Sequence, residues 1–122
     1  MKVVAFNGSP RKDGNTYTLM RHVLAEIETE GIQTELVQVG GKKIRGCIAC
    51  YKCFENRNRR CAVDKDILNA CLEKMIAADG ILLGSPTYFG DMAGKMKVAI
   101  DDWNWKLGVD FTDKVGGAFS TG

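Results

Sequence analysis

Residues 2–16, KVVAFNGSPRKDGNT, set the architecture of this 122-residue chain. The run Lys2–Phe6 is short, β-branched and apolar on both sides, as a strand buried between two layers of helices must be. The residues that follow, 7–16, gather hydroxyl, amide and basic side chains around two glycines. We predict that a helix comes next, and that its unpaired N–H groups and its dipole hold a phosphate group together with Arg11. Residues 7–16 are called the phosphate loop below.

The glycine spacing of the phosphate loop excludes two common nucleotide-binding motifs. A P-loop has four residues between its glycines and then Lys-Ser/Thr, whereas five residues separate Gly8 from Gly14 and Asn15-Thr16 follows. The Gly-x-Gly-x-x-Gly fingerprint of dinucleotide-binding folds is also missing. A terminal phosphomonoester suits the loop better. The alternative is an ordinary strand–helix turn in which Ser9 or Asn15 caps the helix.

The composition is that of one globular domain spanning residues 1–122, with 45% hydrophobic and 26% charged residues. No apolar run is long enough to span a membrane, and Met1 leads directly into a strand without a signal peptide. We therefore expect a cytoplasmic protein with neither a membrane nor a nucleic acid as partner. Five cysteines in a reducing compartment indicate metal binding, redox chemistry or burial rather than a disulfide framework.

Strand and helix patterns alternate along the rest of the chain. This alternation predicts an α/β fold with a doubly wound parallel sheet, in which ligands bind outside the carboxyl ends of the strands. Polar segments 7–16, 85–91 and 120–122 all fall at those ends. The predicted elements after the phosphate loop are helix 16–30, edge strand 34–39, helix 67–76, strand 80–84, a helix through Met92, Met96, Ile100 and Trp103, and strand 114–120.

Residues 40–65, called the cysteine loop below, are predicted to form a long irregular connection. Its cysteines follow the pattern Cys47-x2-Cys50-x2-Cys53-x7-Cys61. Four such thiols suit an iron–sulfur cluster or a structural zinc site, or the loop holds no metal. Cys53 and Arg59 also have the spacing of a cysteine-dependent phosphatase loop. That interpretation is rejected because the intervening residues contain no glycine and follow no strand.

The phosphate loop, the cysteine loop and the segment GSPTYFGDM at residues 84–92 together resemble the flavodoxin-like NAD(P)H-dependent FMN reductase family, particularly its iron–sulfur flavoprotein branch. The resemblance runs from Lys2 to Gly122. It implies an oxidoreductase with FMN as cofactor, NAD(P)H as electron donor and a [4Fe–4S] cluster on Cys47, Cys50, Cys53 and Cys61. The implied FMN-binding residues are Ser9, Arg11, Asn15 and Thr16 for the phosphate, Pro86, Thr87, Tyr88, Phe89 and Gly90 for the isoalloxazine ring, and Thr121 and Gly122 in a third contacting loop.

Two functions are compatible with this resemblance. One is an enzyme that takes hydride from NAD(P)H onto FMN and passes electrons to an acceptor. The other is an electron carrier whose flavin and cluster exchange electrons with a ferredoxin-like partner. Residues 42–61 hold seven basic residues against Glu55 alone, which favours an anionic partner such as an acidic electron-transfer protein. The alternative is that these side chains form a solvated charge run. No catalytic acid or base is evident. An alternative for Tyr88 and Phe89 is that they only anchor their loop to the sheet.

The sheet is expected to lack its last strand and helix. A flavodoxin-like sheet has the order 2-1-3-4-5, whereas only four strands are predicted here. The fourth strand would then expose its outer edge, which proteins normally cover or pair. We therefore expect either a longer domain or completion by another subunit. The family resemblance implies a homodimer, and the isolated monomer is expected to bind FMN poorly.

Overall fold

The computed structural model describes the backbone of residues 1–107 and 113–122, and the side chains of these residues except 103–107. The predicted inward position of Trp103 lies outside the described side chains. No helix in the described part of the chain is long and apolar enough to cross a membrane. The elements in chain order are β1 (Lys2–Asn7), α1 (Asn15–Thr29), β2 (Gln33–Gln38), α2 (Lys52–Asn56), α3 (Leu68–Ala77), β3 (Gly80–Tyr88), β4 (Asp91–Met92), α4 (Gly94–Leu107) and β5 (Val115–Thr121).

Four of the strands form a parallel sheet in the order β2-β1-β3-β5. Strand β1 pairs with β2 on one side and with β3 on the other, and its side chains are the most deeply buried of the sheet. Strand β2 lies at an edge, as its mixed polarity predicts. The order matches the first four strands of a flavodoxin-like sheet, which confirms the predicted fold class.

Alternate residues of the strands face opposite layers of helices. Val4 and Phe6 pack with α3 and α4, whereas Ala5 packs with Met20 and Leu24 of α1. Phe6 is fully buried, so its ring contributes about 1.5–3 kcal/mol to folding. Cys71 lies in the first of these clusters, and burial raises the pKa of its thiol to about 11. This thiol is a packing group, as its position on the inward face of α3 predicts.

The largest differences from the prediction are the end of β3, the start of α4 and the additional helix α2. The predicted strand 80–84 continues to Tyr88 and turns back through β4, so Met92 lies in a strand and α4 begins only at Gly94. Phe89 (φ 45°) and Gly90 (φ 76°) form the two-residue turn, and both have the positive φ that matches hairpin twist. Helix α2 was also not predicted, because its five residues are too few to show helical periodicity.

Strand β5 pairs with β3 along one edge, through Gly80–Pro86 opposite Val115–Thr121. Within residues 1–107 and 113–122 no strand pairs with its other edge. Val115 at its start is 75% exposed. The predicted exposed edge of the last strand is therefore confirmed for the described residues, and it leaves a surface that another strand can join.

Candidate functional site

The phosphate loop leaves β1 at Asn7 and is held by hydrogen bonds to its own backbone. The Asn7 side-chain carbonyl accepts a hydrogen bond from the Ser9 N–H at 3.0 Å. The Ser9 hydroxyl in turn accepts one from the Arg11 N–H at 3.2 Å. Ser9 is only 5% exposed, so its hydroxyl is fixed inside the turn. The loop conformation is thus fixed by hydrogen bonds within the loop.

Gln38, at the end of β2, supports the phosphate loop from the neighbouring strand. Its side-chain N–H₂ group donates to the carbonyls of Ser9 at 2.6 Å and Gly40 at 2.8 Å, and its carbonyl accepts from the Asn7 amide at 2.9 Å. Sequence reasoning missed both Asn7 and Gln38. The available signal is an amide at the carboxyl end of each of two adjacent strands.

Helix α1 begins at Asn15, and its N-cap residue is Gly14, with no side-chain hydrogen bond to the first turn. The alternative in which Ser9 or Asn15 acts as a cap is therefore wrong. Arg11 is exposed, and its stem lies against Gly14, where an added Cβ would be 3.2 Å from the Arg11 Cβ. The first-turn N–H groups and the Arg11 side chain are consequently close together, which suits a phosphate group.

The end of β5 joins the phosphate loop to the segment 85–91, called the aromatic loop below. The Thr16 and Thr121 hydroxyls are 2.7 Å apart, and those of Thr87 and Ser120 are 2.5 Å apart. Thr16 is buried at the start of α1. The structure therefore brings the three predicted segments to one edge of the sheet. Ser120 was not singled out from the sequence, because its partner is 33 residues away.

The aromatic loop presents its rings to solvent. Phe89 is fully exposed and Tyr88 is 50% exposed, so the interpretation of these rings as sheet anchors is wrong. The hairpin is instead anchored by the buried Ser85, whose hydroxyl accepts from the Ala93 N–H and donates to the Pro86 carbonyl, both at 2.9 Å. Pro86 is half-buried at the base of the hairpin.

A cavity of about 470 Å³ opens beside this hairpin, between β3, β5 and α4. Apolar side chains of Leu83, Ile100 and Ala118 line it together with the polar Thr87 and Ser120. An apolar cavity with a few polar groups is the usual setting for a flat cofactor. The phosphate loop, the exposed rings and this cavity therefore have the chemistry to hold a phosphorylated aromatic cofactor such as FMN. Gly122 follows directly after β5 at the same edge.

The cysteine loop has a different character. Cys47 and Cys50 are exposed, and Cys53 and Cys61 are half-buried. Among the described residues, no three His, Cys, Asp or Glu side chains lie close enough to hold a metal ion. Cys47 and Cys53 line one concavity of about 170 Å³ together with Tyr51 and Phe54. The four thiols are the right donors for an iron–sulfur or zinc centre, but the loop must close to gather them.

Positive charge on the cysteine loop faces solvent. Arg60 forms ion pairs with Glu73 and with Asp64 (3.5 Å). The other basic side chains between residues 42 and 61 are all exposed, namely Lys42, Lys43, Arg45, Lys52, Arg57 and Arg59. Such a surface attracts anionic partners at low ionic strength.

Comparison with known proteins identifies the family of this chain. The family model described as NADPH-dependent FMN reductase matches residues 1–122, and the chain belongs to that family. An iron–sulfur flavoprotein of Methanocaldococcus jannaschii is 41% identical over 123 residues, covering 100% of this chain and 62% of the relative. An iron–sulfur flavoprotein of Methanosarcina thermophila is 32% identical over 124 residues, covering 100% of this chain and 63% of the relative. The chain thus spans less than two thirds of the length of either relative.

Solved structures show the same fold. A structure of RosB with the bound intermediate 8-demethyl-8-formylriboflavin-5′-phosphate superposes with a TM-score of 0.78. The sequence identity is 21%, and the match covers 98% of this chain and 51% of that one. The flavodoxin-like architecture inferred from the strand order is therefore shared with a flavin-binding protein.

Proposed function

We propose that this chain is the FMN-binding part of a flavoprotein oxidoreductase that moves electrons from NAD(P)H to an acceptor. The observation that carries the proposal is the junction of three segments at one sheet edge, made by the Thr16–Thr121 and Thr87–Ser120 hydroxyl pairs. The phosphate loop suits a phosphate group, and the aromatic loop presents aromatic rings that do not pack on the sheet. Membership of the FMN reductase family supports this pairing.

Each predicted residue has a role in this proposal. The first turn of α1 with Ser9, Arg11, Asn15 and Thr16 binds the FMN phosphate. The ring lies along Pro86, Thr87, Tyr88, Phe89 and Gly90, with Thr121 and Gly122 at its third side. FMN, when bound, supplies the hydride and electron chemistry, so the chain needs no acid or base of its own. The protein binds and orients the flavin and shields one side of it from water.

The test of this activity is anaerobic mixing of the FMN-loaded protein with NADH or with NADPH. Rapid loss of the oxidised flavin absorbance with either nucleotide is the expected result. The alternative function, an iron–sulfur flavoprotein that exchanges electrons with a ferredoxin-like partner, is favoured by the exposed basic side chains of the cysteine loop. It predicts that neither nucleotide bleaches the flavin. It also predicts that reduced ferredoxin bleaches the flavin at a rate that falls as salt rises.

We also propose that Cys47, Cys50, Cys53 and Cys61 bind a [4Fe–4S] cluster. Support comes from the spacing of the cysteines and from the names of the two archaeal relatives. Because the thiols are dispersed, this proposal requires the loop to close when it takes up the metal. Analysis of anaerobically purified protein for iron, sulfide and zinc separates the three alternatives. Iron with sulfide supports the cluster, zinc alone supports a structural site, and neither supports a metal-free loop.

A homodimer is the assembly we propose. The exposed edge of β5 and the exposed rings of the aromatic loop are surfaces that a second copy can cover. Light scattering with and without FMN tests this assembly. A dimer that binds FMN more tightly than the monomer is expected. A stable monomer that retains a full complement of FMN would contradict it.

A further inference from the structure

The two ends of the cysteine loop are attached to the start of α3. The Asp66 carboxylate accepts hydrogen bonds from the Arg45 N–H at 2.7 Å and from the Leu68 N–H at 2.9 Å. At the other end, Arg60 pairs with Glu73 of α3. The first turns of α3 therefore fix where the loop leaves the core and where it returns to it.

Asn69 makes the closest of these attachments, directly to one of the four cysteines. The Cys61 N–H donates to the Asn69 side-chain carbonyl at 2.7 Å, and the Asn69 amide donates to the Cys61 carbonyl at 3.0 Å. Asn69 is 2% exposed and lies between the core residues Leu68 and Cys71. A buried amide is costly unless it is bonded, and here both ends of the amide are used on the backbone of one residue.

The other three cysteines lie on the part of the loop that projects from these attachments. Cys47 and Cys50 are exposed. The intervening Ala49 (φ 55°) and Tyr51 (φ 59°) adopt left-handed backbone conformations, which cost non-glycine residues energy. Cys53 and Cys61 are both half-buried, but of these two Cys61 is the one that packs against the main core cluster. Cys61 is thus fixed to the core, while Cys47 and Cys50 are exposed in a strained segment that continues to the half-buried Cys53.

The geometry points to Asn69 as a positioning residue that holds Cys61 as the anchored thiol of the cysteine loop. The other three thiols then close towards Cys61 when the loop takes up a metal centre. The closure of the other three thiols rests on the iron–sulfur site proposed above. The anchoring of Cys61 by Asn69 needs no metal, so the anchoring and the closure can be tested separately.

The metal-free test is residue-resolved alkylation. Reduced, metal-free protein is treated with iodoacetamide, and mass spectrometry follows each cysteine in the wild type, in Asn69→Leu, in Asn69→Asp and in the control Asn58→Ala. Asn58 is exposed in the same loop and accepts only a long bond, 3.3 Å, from the Arg60 N–H. Far-ultraviolet circular dichroism reports whether each variant keeps its fold.

Cys61 is expected to react most slowly of the four loop thiols in the wild type and in Asn58→Ala. Asn69→Leu removes two hydrogen bonds and should speed alkylation of Cys61 about tenfold, with Cys47 and Cys50 unchanged. Asn69→Asp keeps the acceptor for the Cys61 N–H and should be intermediate. This partial rescue keeps the test decisive if the leucine variant does not fold. Alkylation of wild-type Cys61 as fast as Cys50, or no change in either variant, would overturn the assignment.

The metal test is anaerobic reconstitution with ferrous iron and sulfide. Wild type and Asn58→Ala should retain iron through desalting, whereas Asn69→Leu should retain less and show an altered electron paramagnetic resonance spectrum after reduction. Equal iron and an unchanged spectrum in Asn69→Leu would show that Cys61 needs no anchoring for assembly. No iron in the wild type would instead remove the cluster proposal, and the alkylation rates would still decide the role of Asn69.

Discussion

The phosphate loop and the cysteine loop are both polar connections of this chain, but they are held in different ways. The phosphate loop is short and is bonded on both sides, by Asn7 from within and by Gln38 from the adjacent strand. The cysteine loop is long, exposed over most of its length and attached mainly at its ends, through Asp66 and Asn69. The first is fixed by hydrogen bonds along its length, whereas the thiols of the second are dispersed.

Backbone conformation gives the same contrast. The cysteine loop contains four non-glycine residues with positive φ, at Ala49, Tyr51, Arg57 and Arg59. Each costs on the order of 1–3 kcal/mol if nothing compensates for it. The phosphate loop is also packed closely by a glycine from outside it, since Gly40, the first residue of the cysteine loop, lies against the Ser9 carbonyl. If the cysteine loop binds a metal centre, the binding free energy offsets the cost of these conformations.

The largest effect is expected from Gly40→Ala. An added Cβ would lie 2.2 Å from the Ser9 carbonyl carbon and oxygen, so the phosphate loop must move. We expect a loss of about 3 kcal/mol in the free energy of unfolding and loss of FMN binding. Chemical denaturation and FMN titration measure the two effects.

The matched control for this change is Gly46→Ala, further along the cysteine loop and away from the phosphate loop, where no atom lies within 4 Å of the added Cβ. This variant should be close to neutral in both measurements. If Gly40→Ala were as mild as Gly46→Ala, the phosphate loop would be as adaptable as the cysteine loop and the contrast between them would fail.

The second-largest effect, a loss of about 2 kcal/mol in the free energy of unfolding, is expected from Gln38→Leu. The substitution leaves the Ser9 and Gly40 carbonyls and the Asn7 amide without the partner that joins them. FMN affinity should fall as well, because the loop loses its support from β2. Gln33→Leu is the control, as Gln33 is exposed at the other end of the same strand. Equal unfolding midpoints for the two variants would rule out this support.

A third change, Arg11→Ala, separates binding from stability. We expect FMN affinity to fall by about 1–3 kcal/mol, the range for a charge-assisted hydrogen bond to phosphate. The free energy of unfolding should hardly change, because Arg11 is exposed. The neighbouring Lys12→Ala, also exposed, should affect FMN titration less. Unchanged affinity in Arg11→Ala would remove this residue from the site.

The smallest effect lies away from both loops, at Glu35 of β2. Hydrogen bonding to Lys74 and then to Lys2 lowers the pKa of this carboxyl below its ordinary value of 4.5, against the opposing effect of burial. Ionised Glu35 therefore stabilises the fold above pH 4.5, and this stabilisation is lost as the pH falls through the lowered pKa. Glu35→Gln should lower the free energy of unfolding by about 0.5 kcal/mol at pH 7 and leave it unchanged in strong acid. Equal losses at both pH values would show that the ion pairs contribute nothing.

Much of the fold could be predicted because buried parallel strands are apolar on both sides, and Val3–Phe6 and Ile81–Leu83 show this directly. The three segments of the candidate site were located by the rule that ligands bind at the carboxyl ends of such strands. The contacts that fix their geometry could not be predicted. The pairing of Thr16 with Thr121 joins residues 105 apart, and the turn at Phe89 uses a positive φ that phenylalanine rarely adopts.

The central claim, that the phosphate loop binds the phosphate of a flavin, is tested most directly by titrating the protein with FMN and with riboflavin. The two ligands share the ring system and differ in the phosphate. If the first turn of α1 and Arg11 hold that group, FMN should bind at least about 100-fold more tightly, as two charge-assisted hydrogen bonds provide. Quenching of flavin fluorescence gives both dissociation constants. Riboflavin affinity within about threefold of FMN affinity would contradict the account, since a threefold ratio is below the contribution of a single such bond.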